Sequence, residues 1–153
     1  MKIAIGADHG GYALKKYLIN YLAKCGHKVM DAGTYSPESC DYPEFAKRTA
    51  LLVVSKKADR GIVICKSGIG TTIVPNKFKG IRAALCMNTK MARLSREHND
   101  ANVLALGVLF VKPDLAKRIV SVFLKTRFSG GRHKRRVNQI KSIEREICNG
   151  VTG

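Results

Sequence analysis

The feature that most constrains the fold is a regular alternation of short apolar runs with segments of helical periodicity. Each apolar run has the length of a strand, and the residues that follow it favour a helix. The five runs are KIAIGA (2–7), HKVMDAG (27–33), RGIVIC (60–65), IRAALCM (81–87) and NVLALG (102–107). A strand followed by a helix, repeated five times, predicts a parallel sheet with helices on both of its faces.

Glycine and proline mark the helix boundaries. Gly26 follows the first helical pattern, and Pro43 and Pro113 stand in the first turns of later helices. A last amphipathic helix is predicted after the SGG sequence at 129–131. Its apolar stripe consists of Val137, Ile140, Ile143 and Ile147. The predicted fold class is therefore α/β, a Rossmann-like three-layer αβα structure with a five-stranded parallel sheet and an extra C-terminal helix.

Chain length and composition indicate one globular domain over residues 1–153. The chain is 45% hydrophobic and 25% charged, which is typical of a soluble protein with a substantial core. The N-terminus lacks the pattern of a signal peptide and no apolar run reaches membrane-spanning length, so we expect a cytoplasmic protein without membrane contact. Five cysteines without C-x-x-C spacing indicate free thiols rather than disulfides or a zinc site. We expect no metal and no other cofactor.

The net charge of +17 is concentrated in the second half of the chain. Residues 1–76 contain 11 Lys and Arg against 6 Asp and Glu, whereas residues 77–153 contain 17 against 5. Such a charge attracts polyanions, so a nucleic-acid-binding module is one hypothesis. The basic residues are not interleaved with aromatic residues, however, and no nucleic-acid motif is present. A site for a small phosphorylated substrate would benefit from the same field.

Cys65 ends the third predicted strand, and the glycine-rich sequence KSGIG follows it. In a doubly wound sheet the ligand lies beyond the carboxyl ends of the strands, commonly between the first and third. Asp8 and His9 end the first strand, so a carboxylate, an imidazole and a thiol would come together there. One interpretation is an inert buried cysteine, which we also expect for Cys86. The other is a reactive thiol followed by N–H groups, at the start of a possible helix, that bind an anion.

Two cysteine chemistries fit a strand, loop and helix. A cysteine phosphatase loop requires an arginine six positions after the thiol, where this chain has Thr71, so a phosphatase is disfavoured. The other chemistry uses the thiolate as a general base that moves a carbon-bound proton, while backbone N–H groups stabilise the oxyanion that develops.

Two further groups of polar residues lie in the second half of the chain. His98, Asn99 and Asp100 come just before the fifth strand, and we expect them at the same end of the sheet as the thiol. Arg132 and Arg136 are four residues apart on one helix face, where they could hold a phosphate. From spacing alone, a solvated basic face or an RNA contact is the better explanation of these arginines.

Several motifs occur in a characteristic order along the whole chain. They are ADHGG (7–11), DYPEFA (41–46), C-x-S-G-I-G (65–70), NK (76–77), GIRAALC (80–86), HNDANVLALG (98–107) and GGRHKRRV (130–137). Together they resemble the ribose-5-phosphate isomerase B family, whose sugar-phosphate isomerase relatives include the galactose-6-phosphate isomerase subunits. The resemblance implies isomerisation of ribose 5-phosphate to ribulose 5-phosphate through a cis-enediolate, without a metal. It also implies a homodimer with active sites between subunits, and such dimers could pair into tetramers.

The resemblance also implies roles for the residues that carry the chemistry. Cys65 would remove the C2 proton of the sugar and return it at C1. Ser67, where the family usually has Thr, would help protons to move between the sugar oxygens. The N–H groups from Lys66 to Gly70, together with Asn99, would hold the enediolate.

Ring opening and phosphate binding are assigned by the same resemblance. His98 would open the furanose ring as an acid, assisted by Asp8. His9, Arg132 and Arg136 would bind the phosphate. The predicted substrate-binding residues are Asp8, His9, Lys66, Ser67, Gly68, Ile69, Gly70, Asn99, Arg132 and Arg136.

Three positions distinguish this chain within the family pattern. Lys66 replaces the usual Gly: at positive φ it would be strained by roughly 1–2 kcal/mol, and otherwise its ammonium could approach the substrate or face solvent. Leu109 stands where many members have a phosphate-binding Arg, and Lys66 or Lys112 could compensate. Some relatives lack the cysteine and use a Glu at the position of Thr71, so Thr71 with Cys65 indicates the cysteine group. Isomerisation of a six-carbon sugar phosphate, allose or galactose 6-phosphate, is the alternative function.

Overall fold

The computed structural model describes residues 1–148, which contain five strands and six α-helices. The strands are β1 (Lys2–Ala7), β2 (Lys28–Asp31), β3 (Arg60–Cys65), β4 (Ala83–Leu85) and β5 (Val103–Gly107). The helices are α1 (Tyr12–Lys24), α2 (Tyr42–Val54), α3 (Gly70–Ile73), α4 (Thr89–Asn99), α5 (Pro113–Lys125) and α6 (Gly131–Cys148), and a 3-10 turn at Pro75–Lys77 follows α3.

All five strands are parallel and lie in the order β2-β1-β3-β5-β4. This arrangement confirms the predicted α/β fold, with β1 inside the sheet rather than at its edge. The chain winds in one direction from β1 to β2 and in the other from β3 to the remaining strands. The carboxyl ends of β1 and β3 therefore form the crevice in which such sheets bind ligands.

The sheet is buried on both faces, which explains why its central strands are continuous apolar runs. α1, α4 and α5 cover one face, where Leu18 and Phe123 are fully buried. α2 covers the opposite face, and its Ala46, Ala50 and Val53 pack against the strands. The small side chains of α2 let that helix lie close to the sheet.

β2 and β4 are shorter than the apolar runs that predicted them. After β2, Gly33 has a φ of 92° and donates its N–H to the Asp31 carboxylate at 2.9 Å, while its carbonyl still accepts the N–H of Ala7 at 2.8 Å. β4 is an edge strand, and the amide side chain of Asn76 occupies its free side. Asn76 accepts the N–H of Ala83 at 2.8 Å and donates to the Ala83 carbonyl at 3.0 Å.

Candidate active site

The sulfur of Cys65 lies at the carboxyl end of β3, in the crevice beside β1. The buried sulfur accepts the backbone N–H of Gly68, with 3.1 Å between nitrogen and Sγ. It also lies 3.3 Å from Oγ1 of Thr71, which donates to the Gly68 carbonyl at 3.2 Å. A threonine hydroxyl can accept an S–H proton or donate to a thiolate. The arrangement therefore suits a sulfur that loses and regains a proton.

The glycine-rich loop after the thiol carries backbone donors. Gly68 has a φ of 78°, and a Cβ on it would lie 2.9 Å from the backbone of β5, so a larger residue does not fit. The Ser67 hydroxyl accepts the N–H of Ile69 at 3.2 Å. Among the described residues, the N–H groups of Lys66, Ser67 and Gly70 have no hydrogen-bond acceptor. The helix expected after this loop is only one turn long, so the loop itself supplies these donors.

The end of β1 brings a carboxylate and an imidazole to the same crevice. Asp8 donates its N–H to the carbonyl of Ile64 at 3.2 Å, and its buried carboxylate accepts the N–H of Gly11 at 2.9 Å. Nδ1 of His9 lies 3.2 Å from both the N–H and the carbonyl oxygen of Cys40. When that N–H donates to Nδ1, the ring proton is on Nε2, which can then donate to an anion.

The side chain of Lys66 lies across Gly10. A Cβ built on Gly10 would be 2.8 Å from Cγ of Lys66 and 3.4 Å from Oδ1 of Asp8. Among residues 1–148, only Lys56 and Asp100 combine a side chain with positive φ, so Lys66 carries no backbone strain. Leu109 donates its N–H to the Lys66 carbonyl at 3.0 Å, which makes these two departures from the family pattern neighbours in space.

His98 and Asn99 lie at the opposite end of the sheet from Cys65, so their expected placement beside the thiol was wrong. α4 begins beyond the carboxyl end of β4 and runs back toward the amino end of β5, as a helix between parallel strands must. Asn102, just after α4, accepts the N–H of Gly61 at the start of β3. Cys65 ends the same strand four residues after Gly61, about 13 Å away at roughly 3.3 Å per residue.

The start of α6 joins the end of α4 at this amino end. Ser129 donates its N–H to the Glu97 carbonyl at 3.1 Å, which ties the two helices together. The rings of His98 and His133 stack with centroids 4.1 Å apart and planes 5° apart. Burial lowers the pKa of His133, and the positive charges of its neighbours, which include Arg132 and Arg136, lower it further. The arginines and His98 thus belong to one basic cluster.

Three residues of these groups were not predicted as site residues. Thr71 contacts the sulfur directly, although the sequence suggested only that it was not a base. The ring of Tyr42 lies against the loop, as shown by the short distance of 2.7 Å between its hydroxyl and a Cβ built on Gly70. His133 stacks on His98. Tyr42 and His133 lie within the motifs DYPEFA and GGRHKRRV, but only the packing reveals what they contact.

A comparison with families of known proteins identifies the wider group. The model of the family described as Ribose/Galactose Isomerase matches residues 3–140, which include both groups of polar residues. The chain belongs to this family.

Individual relatives agree with membership of the Ribose/Galactose Isomerase family. The chain is 48% identical over 143 residues to ribose-5-phosphate isomerase B of Escherichia coli, covering 94% of this chain and 96% of that protein. The structure of ribose-5-phosphate isomerase B from Clostridium thermocellum matches with a TM-score of 0.94 and 54% identity, covering 96% and 99% of the two chains. The crystal structure of the Mycoplasma genitalium enzyme with bound ribulose-5-phosphate matches with a TM-score of 0.91 and 41% identity, covering 95% and 97%.

Three observations concern the rest of this Ribose/Galactose Isomerase family member. Burial raises the pKa of Cys86 to about 11, against the opposing effect of its hydrogen bond with Ser95, so Cys86 is a neutral thiol at physiological pH. Within residues 1–148, no group of three or more His, Cys, Asp or Glu side chains is arranged to hold a metal ion. None of the described helices combines the length and apolar character that crossing a membrane requires.

Proposed function

We propose that this member of the Ribose/Galactose Isomerase family interconverts D-ribose 5-phosphate and D-ribulose 5-phosphate. The observation that carries the proposal is the environment of Cys65, whose sulfur faces the Gly68 N–H and the Thr71 hydroxyl at the ligand crevice of the sheet. Relatives along nearly the whole chain are named ribose-5-phosphate isomerase B, and one of them was crystallised with ribulose-5-phosphate. We further propose that the protein acts in the cytoplasm, where charged sugar phosphates are retained.

In the proposed reaction Cys65 acts as the base. Its thiolate takes the proton from C2 of the open-chain aldose, and the C2–H electron pair forms a C1–C2 double bond while the C1 carbonyl oxygen becomes an oxyanion. The O2 proton of the resulting cis-enediolate passes to the C1 oxygen with the help of Ser67, so the negative charge moves to O2. The thiol of Cys65 then returns its proton to C1, the C1–C2 double bond supplies the electron pair for the new C–H bond, and O2 forms the carbonyl at C2. The hydroxyl of Thr71, 3.3 Å from the sulfur, can follow the proton by switching from acceptor to donor.

The enediolate needs donors that are fixed before it forms. The N–H groups of Lys66, Ser67 and Gly70, which have no acceptor within residues 1–148, supply such donors in the loop after Cys65. Removing one donor from such a site typically costs about 100-fold or more in rate. The hydroxyl of Ser67 accepts the Ile69 N–H, so its own proton is available to the sugar oxygens. We assign Asn99 to the same oxyanion.

Asn99 and His98 can reach the enediolate only from a second copy of the chain. Within one chain they lie at the amino end of the sheet, whereas Cys65 lies at the carboxyl end. We therefore propose a homodimer in which each site combines the Cys65 crevice of one subunit with the amino-end cluster of the other. In that site His98 protonates the ring oxygen, Asp8 assists it, and the phosphate is bound by residues of both subunits. These phosphate ligands are His9 of one subunit and Arg132 and Arg136 of the other.

Apolar side chains near the proposed contact support a dimer. Ile69 and Ile73 flank the thiol loop, and Leu109 and Phe110 follow β5 at the same end of the sheet. More than half of each of these four side chains is exposed in the single chain. Large apolar side chains clustered at one end of a molecule commonly mark a protein–protein contact.

A direct assay tests the proposed function. Purified protein is mixed with ribose 5-phosphate, and the ketose product is followed against time, with allose 6-phosphate and galactose 6-phosphate tested in parallel. We expect kcat/KM to be highest for ribose 5-phosphate. A higher kcat/KM for a six-carbon substrate would instead support the alternative function, and no turnover of any of the three would contradict an isomerase.

A further inference from the structure

Asp100 is held by two arginines directly after the turn that carries His98 and Asn99. It has a φ of 47° and caps the C-terminus of α4. Oδ1 accepts from Nη1 of Arg96 at 2.8 Å, and Oδ2 accepts from Nη2 of Arg82 at 2.9 Å. The Arg96 side chain is 4% exposed and that of Arg82 is 14% exposed, so water screens these ion pairs much less than surface pairs.

Arg82 also binds the backbone of this turn. Its Nε donates to the carbonyl of Asn99 at 2.9 Å, and its Nη2 donates to the carbonyl of Asp100 at 2.8 Å. Its own N–H donates to the side chain of Asn102 at 2.8 Å. A guanidinium reaches several acceptors at once in a fixed plane, which a lysine ammonium cannot do. Arg82 therefore fixes the direction in which α4 ends.

Arg96 connects the same turn to the segment that leads into α6. Its Nη1 donates to the carbonyl of Ala101, and its Nε donates to the carbonyl of Thr126 at 3.4 Å. Thr126 follows α5, and five residues later α6 begins with the arginines of the amino-end cluster. The two arginines and Asp100, which we call the arginine clamp, thus tie the start of β4, the end of α4 and the entry to α6 together.

We propose that Arg82 is a positioning residue, which holds the His98–Asn99 turn in the orientation that completes the active site of the partner subunit. Arg82 is not one of the proposed substrate ligands, and it acts through the backbone of Asn99 and Asp100. The inference rests on the proposed function, because it assumes that His98 and Asn99 act on substrate in the other subunit. A substitution of Arg82 should therefore impair the active site that contains Cys65 of the partner subunit, and not the site that contains Cys65 of its own chain.

The first test compares three purified variants by steady-state kinetics with ribose 5-phosphate. Arg82→Met removes every side-chain bond of Arg82 to the turn and leaves those of Arg96 in place. We expect kcat to fall by about 10- to 100-fold with a smaller change in KM, the scale of effect for a displaced catalytic group. Arg82→Lys keeps the charge without the planar geometry, so it should restore only part of kcat. Arg118→Met removes an exposed arginine of α5 and serves as the matched control, with unchanged kcat. Wild-type kcat in Arg82→Met would overturn the proposal.

The second test locates the defect by subunit complementation. Arg82→Met and Cys65→Ala chains carrying different affinity tags are co-expressed, and the mixed dimer is purified on both tags. One of its two sites then combines both defects and the other has neither, so we expect about half of the wild-type activity per dimer. Recovered activity would also show that the lower kcat of Arg82→Met is not caused by misfolding, because a misfolded chain would not assemble into an active mixed dimer.

A reference dimer tests the shared site independently of the arginine clamp. It combines Arg132→Met with Cys65→Ala and should also recover about half of the activity if sites are shared between two subunits. If activity recovers in the reference dimer but not in the mixed dimer that contains Arg82→Met, the positioning role of Arg82 is contradicted and the shared site is not. Failure of the reference dimer would contradict the shared site and the clamp with it, while isomerase activity of the wild-type protein would still stand.

Discussion

Cys65 and His98 lie at opposite ends of the same parallel sheet. Cys65 pairs with Gly107 at the carboxyl end of β5, whereas His98 stands in the last turn of α4, before β5 begins. No side-chain rearrangement within one chain bridges the length of β5, about 13 Å at roughly 3.3 Å per residue. If both residues act on one sugar phosphate, two chains must meet with the amino end of one facing the carboxyl end of the other.

The contact between Thr71 and the Cys65 sulfur predicts a specific loss of rate. Thr71→Val keeps the side-chain shape but removes the hydroxyl 3.3 Å from the sulfur. We expect kcat for ribose 5-phosphate to fall by about tenfold, the effect of one hydrogen bond of about 1.4 kcal/mol in the transition state. Thr72→Val is the matched control, because that hydroxyl donates to the Gly68 carbonyl at 2.7 Å without contacting the sulfur. Equal kcat values for the two variants would contradict a role of Thr71 in proton transfer.

Lys66 and Lys112 are the lysines predicted to compensate for Leu109. Lys66 is exposed beside Gly10, and Lys112 lines a cavity of about 290 Å³ that also includes Gly10. We expect Lys66→Ala or Lys112→Ala to raise KM for ribose 5-phosphate by about 3- to 10-fold, which corresponds to about 0.7–1.4 kcal/mol. This is less than a buried hydrogen bond to a charged group contributes, because both lysines are exposed and water screens their charge.

A second substitution sharpens this prediction for Lys66. Leu109 is hydrogen-bonded to Lys66 through the backbone, so Leu109→Arg in the Lys66→Ala background should lower KM again. The compensation hypothesis fails if both lysine variants have the wild-type KM.

The buried side chain of Lys15 predicts a loss of stability rather than of chemistry. Lys15 is 1% exposed, forms an ion pair with Asp31 and donates to the Thr34 carbonyl at 2.7 Å. Lys15→Met would leave the Thr34 carbonyl without its donor, while Asp31 is partly solvated. We expect the free energy of unfolding to fall by about 1–3 kcal/mol, measured by urea titration. Lys16→Met, on the exposed side of α1, should change it by less than about 0.5 kcal/mol. Similar values for the two variants would contradict a structural role of Lys15.

The stacked pair of His133 and His98 predicts a pH dependence of stability. Burial lowers the pKa of His133, so the unfolded chain binds this proton at a higher pH than the folded chain does. Stability rises with pH wherever the unfolded state binds more protons, and it should therefore fall as the pH drops from above about 6.5 through the folded-state pKa. The charges that act on this ring also include Arg132, Arg136 and Glu97.

Thermal unfolding of wild type and His133→Gln across this pH range measures the effect. The decline at acid pH should be smaller in the variant, while His27, whose pKa is also lowered, contributes equally to both. Parallel curves for the two proteins would show that His133 contributes nothing to the decline.

The sequence predicted the sheet because the central strands β1, β3 and β5 are buried apolar runs and several of the helices are bounded by glycine or proline. It also predicted that Asp8, His9 and Cys65 meet, since parallel strands align their carboxyl ends. The placement of His98 was wrong because closeness to β5 in sequence does not reveal which end of the strand a residue joins. Contacts such as Arg82 with Asn99 join residues 17 apart and depend on packing that no local pattern encodes.

The central claim is that the Cys65 thiolate is the base of a metal-free isomerisation. The measurement that tests it most directly is the rate of ribulose 5-phosphate formation from ribose 5-phosphate in excess chelator, for wild type and Cys65→Ala. We predict full wild-type activity under chelation and a loss of at least about 100-fold in the variant, the lower end for a general acid or base, with an unchanged circular dichroism spectrum. Activity in Cys65→Ala within tenfold of wild type, or loss of wild-type activity on chelation, would contradict the account.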